Sequence, residues 1–315
     1  MEVVRIGPVF GAELRGLDLC RELSGAEFAS VRAALIEHEV LVFRDQDITP
    51  AQQMAFGRRF GELLVSPFSP NADENPELVV LDNHGANPAA LTDVWHADET
   101  YRNAPPMATI LRACIVPALG GGTMFASMRA AYEMLSDRMK ELLRGLTATH
   151  DFGRFDGLFP HNVEARTRLH EIELMHPHPT HPVVRVHPET HKPVIYVNAH
   201  FTARINELPE DEGRTVLEFL LSRPSVPEVQ LRVQWLPDMV VMWDNRSVQH
   251  YALHDYYPQR RRMERVTVAG DVPVGDAPAP ELTATRIEVQ DPPQSLSTRD
   301  YPPPRRTTRQ FERAY

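Results

Sequence analysis

Three side chains in this sequence are of types that can share one metal ion. They are His96 and Asp98, in Trp95-His96-Ala97-Asp98, and His250, in Gln249-His250-Tyr251. In an extended chain residues i and i+2 point to the same side, so His96 and Asp98 can offer an imidazole nitrogen and a carboxylate oxygen to a single ion. His250 follows the apolar run 239–243, where the rim of a barrel would place it as the third ligand. Two imidazoles and one carboxylate on one face of an octahedron leave three positions open, the facial arrangement of iron(II) sites that use O2. His-x-Asp alone arises often by chance. Its weight here comes from two arginines beyond His250.

Arg261 stands eleven residues beyond His250 and Arg265 four further, in Pro258-Gln259-Arg260-Arg261-Arg262-Met263-Glu264-Arg265-Val266-Thr267-Val268. Where this run is extended, Arg261, Met263 and Arg265 share one face and Val266 and Val268 the other. A dicarboxylate bound to a metal through a 2-oxo acid end needs a partner for its far carboxylate, and a planar guanidinium meets one bidentately. Arg261 fits that role. Without the metal triad, the same run would read as a solvated basic patch.

The elements that must hold these residues are mostly short strands. Ser24 with Glu27 forms a capping box ahead of a helical pattern from Gly25 to His38, and Val40 to Phe43 comes next as a strand. Thr49 and Pro50 open a second helix that should stop near Gly61. β-branched and apolar runs predict strands at Leu78 to Leu81, Ala108 to Ala113, Thr123 to Ala126, Pro182 to His187 and Pro193 to Val197, with Pro188 to Lys192 turning the last pair. Val229, Leu231, Val233 and Trp235 alternate with polar neighbours, Pro237-Asp238 supplies a turn, and Met239 to Trp243 is wholly apolar; together they predict a buried hairpin. Further helices are predicted over about Met128 to Leu135, Asp137 to Arg144 and Glu210 to Ser222. Helices and strands do not alternate regularly, which disfavours a parallel βαβ sheet.

The chain has 315 residues, 42% of them hydrophobic and 24% charged, enough for a large core. A formal charge of −10 argues against a general nucleic-acid binder. Cys20 and Cys114 form no metal pattern and read as two buried small hydrophobes. No secretory start is evident, and no stretch reaches the ~18 apolar residues of a membrane span, so a soluble cytoplasmic protein is expected. Asp156 to Thr180 is polar and includes the start of His176-Pro177-His178-Pro179-Thr180-His181; its prolines predict an extended loop rather than a metal site. Gly120-Gly121-Gly122 lacks the Lys-Ser or Lys-Thr of a phosphate loop. After about Gly270 the sequence turns proline-rich, giving an expected domain over 1–271 and a tail over 272–315 that wraps the domain, docks on a neighbouring subunit or stays mobile.

Phe60-Gly61-Glu62-Leu63, Val94-Trp95-His96-Ala97-Asp98, Gly121-Gly122-Thr123, His181-Pro182-Val183-Val184-Arg185, Tyr196-Val197-Asn198, and Trp243-Asp244-Asn245-Arg246 through His250-Tyr251-Ala252 to Arg265 together resemble the taurine/2-oxoglutarate dioxygenase family. That family also contains 2,4-dichlorophenoxyacetate dioxygenases and alkylsulfatases. The resemblance covers most of residues 5–271. It implies a mainly β fold with added helices, a double-stranded β-helix or jelly roll, with iron(II) at its open end. It implies 2-oxoglutarate and O2 as co-substrates, a small-molecule substrate and a homo-oligomer. It also places Thr123, 27 residues after His96, beside Arg261 on the distal carboxylate of 2-oxoglutarate.

The substrate pocket is where the sequence departs from the taurine enzymes. Aligned through Gly61-Glu62-Leu63 and Pro67, Ser66 and Ser69 stand where they have a His and a Tyr, and Thr92 where they have an Asn. Arg265 remains. Arg265, Ser66 and Phe201 are the candidate substrate-contacting residues, and an anion bulkier than taurine is the expected substrate. A zinc hydrolase could use the same three ligands with bound hydroxide, in which case turnover would need neither 2-oxoglutarate nor O2.

Overall fold

The wholly apolar strands are explained by two cores, one on each side of a single sheet. Along Val40–Phe43, Leu41 and Phe43 point into a cluster with Val31, Leu35, Met54 and Phe56 of the helices Gly25–His38 and Pro50–Arg58. Val40 and Val42 point the other way, into a cluster with Phe125, Leu231, Val233 and Trp235. Val240–Asp244 repeats the division, with Val240 and Met242 on the helix side and Val241 and Trp243 on the other. A strand buried on both faces has no polar alternation to show.

These strands belong to an eight-stranded sheet in the computed structural model, which describes residues 1–277 apart from 69–70, 73, 86–92, 154, 156–158 and 160. From edge to edge the order is Glu2–Arg5, Ala12–Arg15, Val40–Phe43, Val240–Asp244, Ala108–Ile115, Arg261–Val268, Asn75–Asn83 and Asn71–Ala72. All neighbours are antiparallel except Ala12–Arg15 with Val40–Phe43. Across the second core lies a three-stranded sheet ordered Gln230–Val233, Thr123–Ser127, Val248–Ala252. The fold is thus mainly β with added helices.

Most predicted elements form. Both capping boxes are present, Ser24 with Glu27 and Thr49 with Gln52. The helices Met128–Glu133, Asp137–Leu143 and Glu210–Leu221 fall where expected, and Val184–Val186 pairs with Pro193–Ile195.

Four expectations are corrected. Gln230–Val233 and Val240–Asp244 are strands but not a hairpin: the first pairs with Thr123–Ser127, the second with Val40–Phe43 and Ala108–Ile115. The turn at Pro237-Asp238 carries the chain from one sheet to the other, so Val233 and Trp235 meet Val241 and Trp243 across the core instead of side by side. The segment read as an extended loop contains the helix Val163–Met175, capped by Asn162 and burying Leu169 and Ile172; Pro177 and Pro179 lie beyond its end and do not interrupt it. The strand expected from Pro182 to His187 is two, Thr180–Pro182 and Val184–Val186, in different sheets. Cys20 is exposed rather than buried, and Cys114 is partly exposed. Ser69, Thr92 and residues 278–315 of the tail lie outside the described residues. Before that point Val186 donates its N–H to the Val274 carbonyl, so the chain at Val274 lies against the Val184–Val186 strand. Among the described residues no helix is long and apolar enough to cross a membrane.

Candidate metal and 2-oxo acid site

His250 lies on the inward face of Val248–Ala252, paired with Phe125, while Gln249 points away and donates to the Val197 carbonyl. The segment carrying His96 adds to that strand as an isolated antiparallel bridge: the His96 N–H donates to the His250 carbonyl and the His250 N–H to that of His96. This pair of hydrogen bonds sets the two imidazoles side by side, with ring centroids 4.1 Å apart. Asp98, two residues on, completes the group. One ligand atom from each of His96, Asp98 and His250 lies within 4.8 Å of the others, and all three side chains are buried.

The donor atoms are oriented for a metal. His96 Nδ1 lies 2.7 Å from the Val94 carbonyl, which fixes that nitrogen as the N–H and turns the Nε2 lone pair inward. Nε2 of His96 and of His250 each lie 3.9 Å from Asp98 Oδ1. The other carboxylate oxygen, Oδ2, is taken by the Thr109 hydroxyl at 2.6 Å. Thr109 accepts from Asn245 Nδ2 at 2.8 Å, and Asn245 Oδ1 accepts from the Trp243 indole at 3.0 Å. A relay from the strands Val240–Asp244 and Ala108–Ile115 therefore holds Asp98 with Oδ1 facing the imidazoles.

The protonation states suit a cation. Burial is the main cause that lowers both imidazoles, His250 to about 3, so they are neutral bases at neutral pH. Burial opposes ionisation of Asp98, but His250, Arg265, His96 and the Thr109 hydrogen bond outweigh it, and its pKa falls below the usual carboxylate range. Two neutral nitrogens and one anionic oxygen are a donor set that could hold a mononuclear iron(II) ion with room for co-substrates.

Arg261 and Arg265 occupy the inward face of Arg261–Val268, with Met263 between them in the core. An irregularity in the register with Ala108–Ile115 falls between Arg262 and Met263, where Met263 pairs with Ala113 and Arg262 with Ile115; the extra residue is on the partner strand, so the alternation along Arg261–Val268 survives. Arg265 Nη1 donates to Asp98 Oδ1 at 3.2 Å. Arg261 is buried, its Nε donates to the Gly121 carbonyl at 3.0 Å, and its guanidinium stands 5.9 Å from the Trp235 ring. Burial lowers its pKa to about 10, which leaves it charged at neutral pH. Among the described residues it has no carboxylate partner. Gly121 has a φ of +64°, and a Cβ there would stand 3.3 Å from Arg261 Cδ and 2.9 Å from Pro117, so the close approach requires glycine.

Thr123 is joined to this corner by Trp235, whose indole N–H donates to the Thr123 hydroxyl oxygen at 2.9 Å. The hydroxyl oxygen accepts there, so that bond does not use the hydroxyl's own proton. Phe201 is buried and stacks on Phe155 at 5.7 Å; its neighbour His200 lies 5.0 Å from the His96 ring. Ser66 is buried two residues before Phe68, whose ring packs against Tyr101 and Phe155. An aromatic wall of Phe68, Tyr101, Phe152, Phe155 and Phe201 thus reaches His200, which in turn packs beside the His96 ring. Thr109, Trp235, Glu99 and His200 were not identified from sequence. Asn245 lies within the Trp243-Asp244-Asn245-Arg246 motif, but nothing in the sequence signals Thr109, whose role depends on a strand pairing.

A mainly β fold carrying a buried His/Asp/His group, with a buried guanidinium at Arg261 that has no carboxylate partner among the described residues, defines the class of 2-oxoglutarate-dependent non-haem iron dioxygenases. Residues 2–267 match the sequence model of the taurine catabolism dioxygenase TauD, TfdA family, and the chain belongs to that family. It is 36% identical over 269 residues to an alkylsulfatase of Acinetobacter baylyi, covering 84% of each chain. It is 32% identical over 275 residues to an (S)-phenoxypropionate/alpha-ketoglutarate-dioxygenase of Sphingobium herbicidovorans, covering 86% of this chain and 95% of the other. The crystal structure of a taurine dioxygenase from Burkholderia xenovorans superposes with a TM-score of 0.75 at 34% identity, over 87% of this chain and 91% of that one.

Proposed function

We propose that the chain oxidises a C–H bond of a small anionic substrate, with His96, Asp98 and His250 holding iron(II) at the open end of a double-stranded β-helix. The overall reaction consumes substrate, 2-oxoglutarate and O2 and yields hydroxylated substrate, succinate and CO2. The observation that carries this reading is the pairing of the triad with a buried Arg261 that has no carboxylate partner among the described residues. A buried charge without a counter-ion is costly and points to an anion supplied from outside.

Iron(II), when bound, supplies the redox chemistry that couples decarboxylation of 2-oxoglutarate to O2. The protein's own groups bind and orient. Arg261 takes the distal carboxylate of 2-oxoglutarate, and Thr123 donates its hydroxyl proton to the same group, since Trp235 already occupies the Thr123 oxygen. Thr109 keeps Asp98 turned toward the imidazoles. Arg265 reads the negative group of the substrate, Ser66 and Phe201 line its pocket, and the aromatic wall excludes water from the reacting end. Alkyl sulfates and aryloxy acids fit this chemistry better than taurine. Residues 1–271 form the catalytic domain and 272–315 a proline-rich tail, and the protein works on a small molecule as a homo-oligomer in the cytoplasm; neither a membrane nor a nucleic acid is a partner.

Anaerobic addition of 2-oxoglutarate to the iron(II)-loaded protein should produce a weak visible charge-transfer band, absent in His96→Ala, Asp98→Ala and His250→Ala. A folded His250→Ala variant that keeps the band and full turnover would remove His250 from the ligand set. Turnover independent of 2-oxoglutarate and O2 would instead indicate a zinc hydrolase built on the same residues.

A further inference from the structure

Directly after Asp98 the backbone turns through Glu99, whose φ of 48° lies in the left-handed region. That region disfavours residues with a Cβ, so a glutamate held there calls for a compensating role of its side chain. The carboxylate is buried and divided between two arginines. Oε2 accepts from Arg102 Nε at 2.6 Å and from the Tyr101 hydroxyl at 3.2 Å. Oε1 accepts no hydrogen bond and lies 3.8 Å from Arg265 Nη2. Arg265 in turn donates from Nη1 to Asp98 Oδ1. Its two terminal nitrogens are therefore spread over the carboxylates of two consecutive residues, one a metal ligand and one not.

This arrangement sets the charge that an incoming substrate meets. The two carboxylates of Asp98 and Glu99 balance the two guanidiniums of Arg102 and Arg265, and the imidazoles of His96 and His250 are neutral. Iron(II) and the 2-oxoglutarate dianion balance each other. Of these groups, whose side chains are all among the described residues, Arg261 is left, so together they give the loaded site a single positive charge. A monoanion brings it to neutrality, whereas a dianion leaves a net negative charge in a poorly solvated pocket. Without Glu99 the balance would favour the dianion.

We infer that Glu99 determines specificity: by offsetting one guanidinium beside the metal it tunes the Arg265 pocket to singly charged head groups, such as sulfate esters and carboxylates, and against phosphate monoesters. The inference rests on the proposed role of Arg265 as the reader of the substrate anion. Glu99 acts through Arg265 and is a positioning residue.

Methyl sulfate and methyl phosphate are matched probes, since they are similar in shape and, near pH 7.5, the phosphate ester is mostly a dianion (second pKa about 6). Each is titrated calorimetrically, without O2, into the protein loaded with iron(II) and saturating 2-oxoglutarate. The unchanged protein should favour methyl sulfate by roughly tenfold or more, and Glu99→Gln, nearly isosteric, should move that ratio roughly tenfold toward methyl phosphate. Arg102→Gln, which removes a positive charge from the same cluster, should move the ratio the other way. The double variant should return it toward the original value, an outcome that a purely structural role of Glu99 does not produce. Arg265→Ala should weaken both probes. If Arg265→Ala weakens both while the ratio is the same in Glu99→Gln and Arg102→Gln as in the unchanged protein, Glu99 has no part in selection and the role of Arg265 stands. If neither probe binds, or Arg265→Ala leaves both affinities unchanged, the anion-reading role of Arg265 falls and this inference with it.

Discussion

Thr109 shows how much of the proposed metal site lies outside its ligands. Its hydroxyl fixes one oxygen of Asp98 and is itself fixed by Asn245, so Thr109→Val should leave all three ligands present but less well oriented. Loss of such an outer partner typically weakens metal affinity by about 10–100-fold. Titration of iron(II) or manganese(II) into the metal-free variant measures this, and an affinity within a factor of two of the original would show the relay to be dispensable. At the other end of the site, on the role proposed for Arg261, Arg261→Ala removes one partner of a desolvated charge pair, a loss of roughly 2–5 kcal/mol. At about 1.4 kcal/mol per tenfold, 2-oxoglutarate affinity should fall by on the order of 30-fold to several thousand-fold. Trp235→Phe keeps the ring but deletes the N–H that engages Thr123, and should raise the KM for 2-oxoglutarate by only about 2–10-fold, the effect of one neutral hydrogen bond. If Trp235→Phe were as damaging as Arg261→Ala, the indole would itself contact the co-substrate.

The turn 244–247 is the element on which the triad's geometry depends. It joins Val240–Asp244 of the large sheet to Val248–Ala252 of the small one, and so carries Asn245 and His250 to the same place. Asp244 anchors it: buried, it accepts from Arg246 Nη2 at 2.6 Å and from Nε at 2.8 Å, and lies 3.0 Å from His187 Nε2. Burial opposes its ionisation, but the charge of Arg246 and the bonds from Arg246 and His187 prevail, holding its pKa below the usual range. Asp244→Ala leaves the Arg246 guanidinium buried without that partner, and should lower unfolding free energy by about 3–5 kcal/mol. Urea denaturation monitored by far-UV circular dichroism tests this. A loss under about 1 kcal/mol would mean that Glu189, which Arg246 also contacts, suffices to hold the turn.

For the whole molecule the buried histidines set the response to acid. Burial is the first cause that lowers His150 well below its ordinary value, His181 to about 4 and His250 to about 3. In the unfolded chain these groups take up protons near pH 6.5, whereas the folded protein refuses them until far lower pH. The unfolded state then binds more protons, so stability is intact above about pH 6.5 and declines as pH falls, by up to about 1.4 kcal/mol per group per unit. Asp98 and Asp244 have depressed values, so their contribution is present above about pH 3.9 and is lost only in stronger acid. The urea midpoint of the metal-free protein should therefore drop clearly between pH 7.5 and 5, before the contributions of Asp98 and Asp244 are lost. A flat midpoint over that interval would show that the histidines take up protons in the folded state.

Local chemistry determined the parts that sequence could supply. Ser24 and Thr49 with their partners three residues on fix two helix starts, the β-branched runs fix most strands, and the i, i+2 spacing of His96 and Asp98 puts two ligands on one side. The alternation Arg261, Met263, Arg265 likewise comes from the period of an extended chain. Tertiary structure decided everything that depends on which strand meets which. Val229 to Trp243 has the pattern of a hairpin, yet its halves face each other across a core, because apolar periodicity records that a face is buried and not what it is buried against. The helix Val163–Met175 was hidden by prolines that only flank it. His96 and His250 are joined by a backbone bridge across 154 positions of sequence, and Thr109 reaches Asp98 only because Ala108–Ile115 pairs with Val240–Asp244. Glu99 had no signal at all, since a charged residue beside a ligand looks the same in sequence whether solvent or an arginine receives it; long-range pairing and burial made that choice.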